Sequence, residues 1–321
     1  MRRYTIIRLI TAAFTIYMIT TIMFFMFRFI PGDPTTMFIN ENLSAEDIAR
    51  QKALWGLDKP LLHQYLSYIK NLVSGDFGVS FIENRPAMSL ISGKIWNTIS
   101  LMIPATIVMV LLGGILGGFL GWQRGSRTER FGIVLSLVMR SMPVFWIGII
   151  FLMIFTYWLR IFPSGGMRMP GTPDTGLWQT YLSWDFVNHL LLPLITVIFY
   201  NVNGPLLLMR SSMIEVKGED FLELLRAKGL REYKIIHRAA RNAILPMVTY
   251  VAIWIGFLFE GQVLIETIFA WPGIGREIVN AILNYDYPMV QASFFMLSLV
   301  VIVMNLIADV VYGLLDPRIV Y

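Results

Sequence analysis

The chain has 321 residues, of which 56% are hydrophobic and only 15% charged, and its formal net charge is +5. Soluble domains carry about 25% charged residues, so this composition excludes an ordinary soluble protein and indicates that the lipid bilayer is the solvent. The absence of cysteine excludes disulfides, thiolate metal sites and a cysteine nucleophile. The positive charge does not require nucleic acid, because cytoplasmic loops of membrane proteins collect Lys and Arg.

Six stretches are long and apolar enough to cross the hydrocarbon core, which takes about 20 residues. They run at about 7–30, 98–122, 131–159, 190–209, 245–265 and 290–314. The first is too long for a signal-peptide core and lacks a small-residue cleavage site, so we interpret it as a retained anchor. The sequence therefore predicts an all-α, polytopic membrane protein with six transmembrane helices.

Short basic segments predict the orientation of these spans. Arginines cluster before the first span and between the second and third, and eight Lys or Arg lie between the fourth and fifth. Such segments stay in the cytoplasm, which places both termini there and 31–97 outside. We therefore divide the chain into an N-terminal anchor helix at 1–30, an extracytoplasmic helical segment at 31–97, and a core of five transmembrane helices at 98–321 with a cytoplasmic loop at 210–245.

The external segment contains two predicted amphipathic helices. Ser44 and Asp47 form a capping-box pattern for the first, and Gly56 would end it. The second begins near Pro60 and places apolar residues at helical spacing on one face. These are Leu62, Tyr65, Leu66, Ile69 and Val73. We expect this stripe to pack against the spans, and a docking surface for an external partner is compatible with that packing.

The most charged part of the core is "EDFLELLRAKGLREYKIIHRAARNAILP" at 219–246. Residues 219–228 should form a helix, since acids occupy its first turns and bases its last, and Gly229 can end it. Phe221, Leu222, Leu224 and Leu225 make an apolar patch on this charged segment. The patch fits either a helix that lies in the headgroup region or a helix that sits in the groove of a cytoplasmic partner.

This stretch resembles the EAA loop of permease subunits of ATP-driven (ABC) importers. Glu223, Gly229 and the pair Leu245-Pro246 hold the characteristic positions, whereas Leu224 and Leu225 depart from the usual alanines. Further stretches resemble the peptide/oligopeptide branch of that family, and they run from end to end of the chain. They are "FRFIPGDP" at 27–34, "GDFGVSF" at 75–81, "SMPVFW" at 141–146, "IETIFAWPGIG" at 265–275 and "DPRIVY" at 316–321.

The resemblance implies a type I permease fold with an extracytoplasmic helical insertion, similar to the first of two permease subunits. It implies a second, homologous permease, two cytoplasmic ATPase subunits that bind ATP and Mg, and an extracytoplasmic substrate-binding protein. The membrane would be the cytoplasmic membrane of a bacterium or archaeon. The residues that it implies for coupling to the ATPase are Glu219, Phe221, Leu222, Glu223, Leu225, Ala227 and Gly229.

The chain itself shows no energy source. No G-x-x-x-x-G-K-[ST] motif occurs to hold ATP phosphates, so we predict neither a cofactor nor a catalytic or metal site in this chain. A stand-alone secondary carrier or channel is the alternative, but it predicts ionisable pairs and inverted repeats that are not evident. A membrane enzyme would need a nucleophile with a base or a metal cluster, and His189 has no evident partners for that.

Four residues at membrane depth are candidates for the transport pathway. Asn201 and Asn203 interrupt the fourth span, where a kinked helix with locally satisfied amides is the alternative. Arg140 and Glu260 are costly charges in the third and fifth spans, which usually face a cavity or pair with each other. For these two charges we therefore predict either pore lining or substrate contact, with a structural ion pair or a subunit-interface role as the alternatives. Glu266, at the outer end of the fifth span, fits a structural or gating role better than binding.

Overall fold

The computed structural model describes residues 2–29, 58–172, 176–256 and 262–315. This part of the chain is almost entirely helical, and its extended pairing is limited to an isolated antiparallel bridge between Val79 and Pro86. The prediction of an all-α chain is confirmed. The predicted amphipathic helix at 44–56 and the residue Glu260 lie outside the described residues.

The helices of the described ranges follow in chain order. They are α1 (Arg2–Phe29), α2 (Leu61–Val73), α3 (Ala87–Trp122), α4 (Arg127–Ser141), α5 (Val144–Phe151), α6 (Leu177–Tyr181), α7 (Trp184–Asn201), α8 (Asn203–Lys217), α9 (Asp220–Ala227), α10 (Glu232–Ala243), α11 (Leu245–Gly256), α12 (Gln262–Ile268), α13 (Ile274–Leu283) and α14 (Tyr287–Leu315). A π-helical segment, Leu152–Trp158, continues α5.

Three helices are by themselves long and apolar enough to cross a membrane. These spans are Ile6–Met26, Ala87–Trp122 and Tyr287–Ile307. Two bent pairs, α4 with α5 and α7 with α8, raise the number to five if each pair is one span. The fifth predicted span runs through residues 257–261, which are not described, so the number six stays a prediction.

The predicted third span is interrupted, because α4 and α5 meet at an angle of 98°. Pro143 lies at the break, and Met142 before it is extended, with φ −80° and ψ 140°. Proline lacks the N–H that a helix interior needs and disfavours helical backbone at the residue before it. The bend of 45° between α7 and α8 is at Val202, between the two asparagines that were predicted to interrupt the fourth span.

The described chain divides into two compact units, of which the first comprises residues 1–97 and 272–303. In this unit Phe24 of α1 is buried and stacks on Tyr68 of α2, with ring centroids 5.4 Å apart. Burial raises the pKa of Tyr68 to about 12, so its phenol stays neutral. Leu62, Leu66 and Val73 are exposed, so the predicted packing of the α2 stripe is wrong for these three.

Asp286 holds two turns of the first unit together, although 206 residues separate it from its partner Ser80. The Ser80 hydroxyl donates to the buried carboxylate, and the N–H groups of Phe81 and Met289 donate to its other oxygen at 3.1 and 3.3 Å. A side-chain acceptor of this kind satisfies N–H groups that the first turn of α14 leaves without partners. The "GDFGVSF" stretch is thereby fixed to the start of α14.

The second unit comprises residues 98–271 and 304–320, and it contains the predicted coupling and pathway residues that the structure describes. A cluster of buried side chains from α8, α9, α10 and α11 lies at the end of this unit that the basic loops predict to be cytoplasmic. Its members are Met209, Met213, Leu222, Leu225, Ile235, Ala239, Ala243 and Met247.

Candidate functional site

Helix α9, Asp220–Ala227, is the centre of the candidate site, and it confirms the helix predicted from the charge pattern. Asp220 and Glu223 lie in its first turns and Arg226 in its last, which is the order that the helix dipole favours. Gly229 has φ +73°, and its N–H donates to the Arg226 carbonyl at 2.9 Å. Because this left-handed backbone strains any residue with a Cβ, glycine ends the helix as the sequence predicted.

The apolar patch of α9 is divided between two sides of the helix. Leu222 is fully buried and Leu225 is 8% exposed, and both pack against α8 and α10 of the same chain. Phe221 packs partly against the same cluster, whereas Leu224 is 55% exposed. The side chains of Leu222 and Leu225 are therefore covered by the chain itself, and they anchor α9 to it.

The outer face of α9 combines charge with an exposed leucine. Glu219, Glu223, Ala227 and Gly229 are all exposed there, next to Leu224. Helix α10 buries Ile235, Ala239 and Ala243 and exposes a basic surface beside this face. The exposed polar side chains of α10 include Lys234, His237, Arg238 and Arg241, and Arg231 directly before the helix is also exposed. The arrangement is a charged, exposed surface whose apolar side chains pack against helices of the same chain.

Helices α3 and α8 approach each other closely along three glycines at four-residue spacing, which we name the glycine face: Gly113, Gly117 and Gly121. A Cβ on Gly113 would lie 2.7 Å from Pro205, and one on Gly121 would lie 2.7 Å from the Arg210 carbonyl oxygen. A Cβ on Gly117 would overlap the Leu206 carbonyl oxygen. Small residues at this spacing let helix backbones approach in membranes. The spacing was visible in the sequence, but the sequence-based prediction did not use it.

An ion pair between Glu129 of α4 and Arg210 of α8 lies at the same end of the unit. Glu129 is 4% exposed, and its carboxylate accepts from Arg210 Nε at 2.8 Å and from the Gly125 N–H at 2.5 Å. Ser126 caps the helix by accepting from the Glu129 N–H at 3.0 Å. The sequence reasoning missed this pair, because Arg210 was interpreted only as one of eight basic residues that set the topology, and the two partners are 81 residues apart in the sequence.

The structure brings three of the predicted pathway residues into one polar cluster, which consists of Ser136, Arg140, Asn201 and Asn203. Arg140 donates to the Asn201 side-chain oxygen at 3.2 Å, and its guanidinium lies 4.1 Å from the centroid of the Tyr200 ring. Asn203 donates to Ser136 Oγ at 3.0 Å. These contacts join α4 to the bend between α7 and α8.

The amides of the polar cluster are satisfied within the chain, as the kinked-helix alternative predicted. Asn201 donates to the Val197 carbonyl at 3.0 Å, one turn earlier. Arg140 is exposed, and no carboxylate among the described residues lies within ion-pair distance of it. At the membrane depth predicted for Arg140, an exposed guanidinium needs a polar cavity or another subunit, because lipid solvates charge poorly.

The other ionisable candidates have local structural roles. Glu266 is fully buried and accepts from the Thr98 hydroxyl at 2.5 Å, while its carbonyl accepts from the Trp271 N–H at 2.8 Å. His189 is buried with Nδ1 at 2.8 Å from the Asp185 carbonyl oxygen of its own helix. Within the described ranges, no three His, Cys, Asp or Glu residues are grouped as metal ligands.

Two family models together match the chain from end to end. Residues 109–321 match the binding-protein-dependent transport system inner membrane component, and residues 1–109 match the N-terminal region of such membrane components. Among curated relatives, the dipeptide transport system permease protein DppB of Escherichia coli is 35% identical over 317 residues, or 94% of each chain. The oligopeptide transport system permease protein AppB of Bacillus subtilis is 33% identical over 306 residues, again 94% of each.

A third relative is similar over the full length of both sequences. The glutathione transport system permease protein GsiC of Escherichia coli is 30% identical over 322 residues and covers 100% of both sequences. The resemblance inferred from the charged loop and the five flanking stretches is thereby confirmed. The chain belongs to the family of inner-membrane permease components of binding-protein-dependent ABC import systems.

Proposed function

We propose that this chain is one of two homologous permease subunits that form the translocation pore of an ATP-driven peptide importer. The observation that carries the proposal is helix α9: its buried face is anchored to the chain's own helices, and its exposed face is charged. A helix that meets a partner through such a face transmits displacement rather than merely binding.

The exposed residues of α9 are the proposed contact with a cytoplasmic ATPase subunit. Glu219, Glu223, Ala227 and Gly229, together with Leu224, would lie in the ATPase groove. Phe221, Leu222 and Leu225 would contribute indirectly: they would not contact the ATPase but would hold the helix in place. Two ATPase subunits would bind ATP and Mg, one at each permease, since this sequence contains no phosphate-binding loop of its own.

Peptides are the proposed substrate class, because the relatives are named for oligopeptide, dipeptide and glutathione transport. An extracytoplasmic binding protein would deliver the peptide to the outer side, where the segment at 31–97 lies in the predicted topology. The orientation follows from the basic segments and places both termini in the cytoplasm of a bacterial or archaeal cell.

The polar cluster is the proposed polar wall of the pathway. Each of Arg140, Asn201 and Asn203 uses one donor for a bond within the chain. Each also carries at least one further N–H group for a peptide that leaves water. Glu260 is proposed as a fourth lining residue from its position in the sequence alone.

The decisive experiment changes the charge on the exposed face of α9. We expect Glu223→Arg to reduce both ATPase co-purification and ATP-dependent peptide uptake in proteoliposomes at least tenfold, since a reversed charge in a fitted groove is strongly unfavourable. Glu83→Arg is the matched control for ATPase binding, because Glu83 is an exposed acid of the predicted external segment, and it should leave ATPase co-purification unchanged. Full uptake by the permeases without ATPase subunits would instead establish a stand-alone carrier or channel.

A further inference from the structure

Besides the packing of Leu222 and Leu225, helix α9 has two further connections to the membrane helices. The first is covalent, since α8 ends at Lys217 and α9 begins at Asp220. The short joint is rigid: the N–H groups of Gly218 and Glu219 donate to the carbonyls of Glu215 and Val216 at 3.0 and 3.1 Å. A displacement of α9 must therefore act directly on α8.

The second connection runs through Trp122, the last residue of α3. Lys217 Nζ donates to the Trp122 carbonyl oxygen at 2.6 Å and lies 5.2 Å from the centroid of the indole ring. Arg226, in the last turn of α9, has its guanidinium carbon 5.9 Å from the same centroid. Both cations lie within the distance of about 6 Å at which an aromatic face attracts them.

The two connections act on a pair of helices that cannot easily slide past each other. The glycine face of α3 holds the α8 backbone so closely that a Cβ at Gly117 would overlap the Leu206 carbonyl oxygen. Trp122 follows the last glycine of this face directly in the sequence. The indole is half-buried and packs against the same cluster that covers Leu222 and Leu225.

From these contacts we propose that Trp122 is a positioning residue for energy coupling: it fixes α9 to the end of α3, so that α3, α8 and α9 move as one body. Without the indole, α9 would still pull on α8, but the last turn of α9 would lose its attachment to α3. ATP hydrolysis would then continue with less solute moved for each ATP. This inference rests on the proposed ATP-driven function.

The test measures the ratio of peptide imported to ATP hydrolysed by the purified complex in proteoliposomes, together with the stimulation of ATPase activity by loaded binding protein. We expect Trp122→Ala to lower both about twofold to fivefold, the factor that the loss of an exposed cation–π contact produces. Trp122→Phe should recover most of the loss, because its ring still attracts the cations. Phe119→Ala, an exposed aromatic residue on the same helix, should change neither quantity.

Arg226→Ala provides an independent variant, because this side chain is 42% exposed and its removal leaves the core intact. We expect it to lower the import ratio as Trp122→Ala does, and the double variant to be no worse than Trp122→Ala. An unchanged ratio in Arg226→Ala, or additive losses in the double variant, would overturn the role of Trp122. If instead the wild-type complex imports no peptide in response to ATP, the proposed function itself is wrong.

Discussion

At the scale of single residues, Glu129 shows how a buried charge depends on its partner. Its carboxylate is almost fully buried, and Arg210 is 26% exposed, so removal of either side chain leaves the other charge poorly solvated. We expect Glu129→Ala to destabilise the chain by about 1–3 kcal/mol, below the cost of a fully buried pair because Arg210 reaches solvent. The measurement is the unfolding free energy of the purified protein in a double-mutant cycle with Arg210→Ala.

The exposed pair of Arg226 and Glu232 is the matched control for this ion pair. Its nitrogen and oxygen are 3.8 Å apart, and the side chains are 42% and 57% exposed, so Glu232→Ala should cost no more than about 0.5 kcal/mol. A coupling energy near zero for Glu129 and Arg210 would show that the pair contributes no more than this surface contact.

The sequence predicted helix α9 and its C-terminal end correctly, because both depend on interactions between residues that are close together in the sequence. The order of acids and bases and the left-handed backbone at Gly229 depend on neighbours within one turn, and these are visible in a sequence. In contrast, what covers the side chains of Leu222 and Leu225 depends on residues that are distant in the sequence. An apolar patch on an eight-residue helix can be covered by a partner protein, by lipid or by the same chain, and only the packing of α8 and α10 shows that the chain covers it.

At the scale of helices, the glycine face determines how closely α3 and α8 pack. We expect Gly117→Ala to destabilise the chain by about 1–3 kcal/mol, because the added methyl group forces two backbones apart. Gly118→Ala is the control on the adjacent residue: its Cβ would lie 3.5 Å from the flexible ends of Met209 and Met213, which is ordinary contact. The unfolding free energy and the amount of assembled complex measure both effects.

The expected difference between these neighbours is a direct test of the packing. Alanine favours helix over glycine by about 1 kcal/mol, so Gly118→Ala should be neutral or slightly stabilising. Equal tolerance of alanine at both positions would mean that α3 and α8 do not approach as described. The sequence alone could identify the spacing of these glycines, but not the helix that they face, because that helix begins about 80 residues later.

At the scale of the whole molecule, composition and span length were enough to predict the membrane class, because the cost of a polar backbone in lipid permits few alternatives. They were not enough to predict the break at Pro143, although the proline stands in a stretch that was recognised. A proline within a membrane helix can be tolerated with a small kink. Whether it instead produces a turn of 98° depends on the surroundings of α4 and α5.

The predicted orientation of the chain can be tested by labelling single introduced cysteines, because the protein has no cysteine of its own that would react. Leu62 on α2 is 70% exposed and Leu224 on α9 is 55% exposed, so a thiol at either position should be reachable by a maleimide that does not cross membranes. We expect Leu62→Cys to react in spheroplasts and Leu224→Cys to react only after the membrane is opened, since the basic segments beside α9 hold it in the cytoplasm.

The same two variants separate a docked α9 from one that lies on lipid. If α9 sits in an ATPase groove, co-expressed ATPase subunits should slow the labelling of Leu224→Cys at least tenfold in opened vesicles and leave Leu62→Cys unaffected. A headgroup-bound helix would instead be protected by the bilayer whether or not those subunits are present. Labelling of Leu224→Cys from the outside would show that the predicted topology is inverted. Helix α9 would then lie outside the cell, where a cytoplasmic ATPase could not bind it.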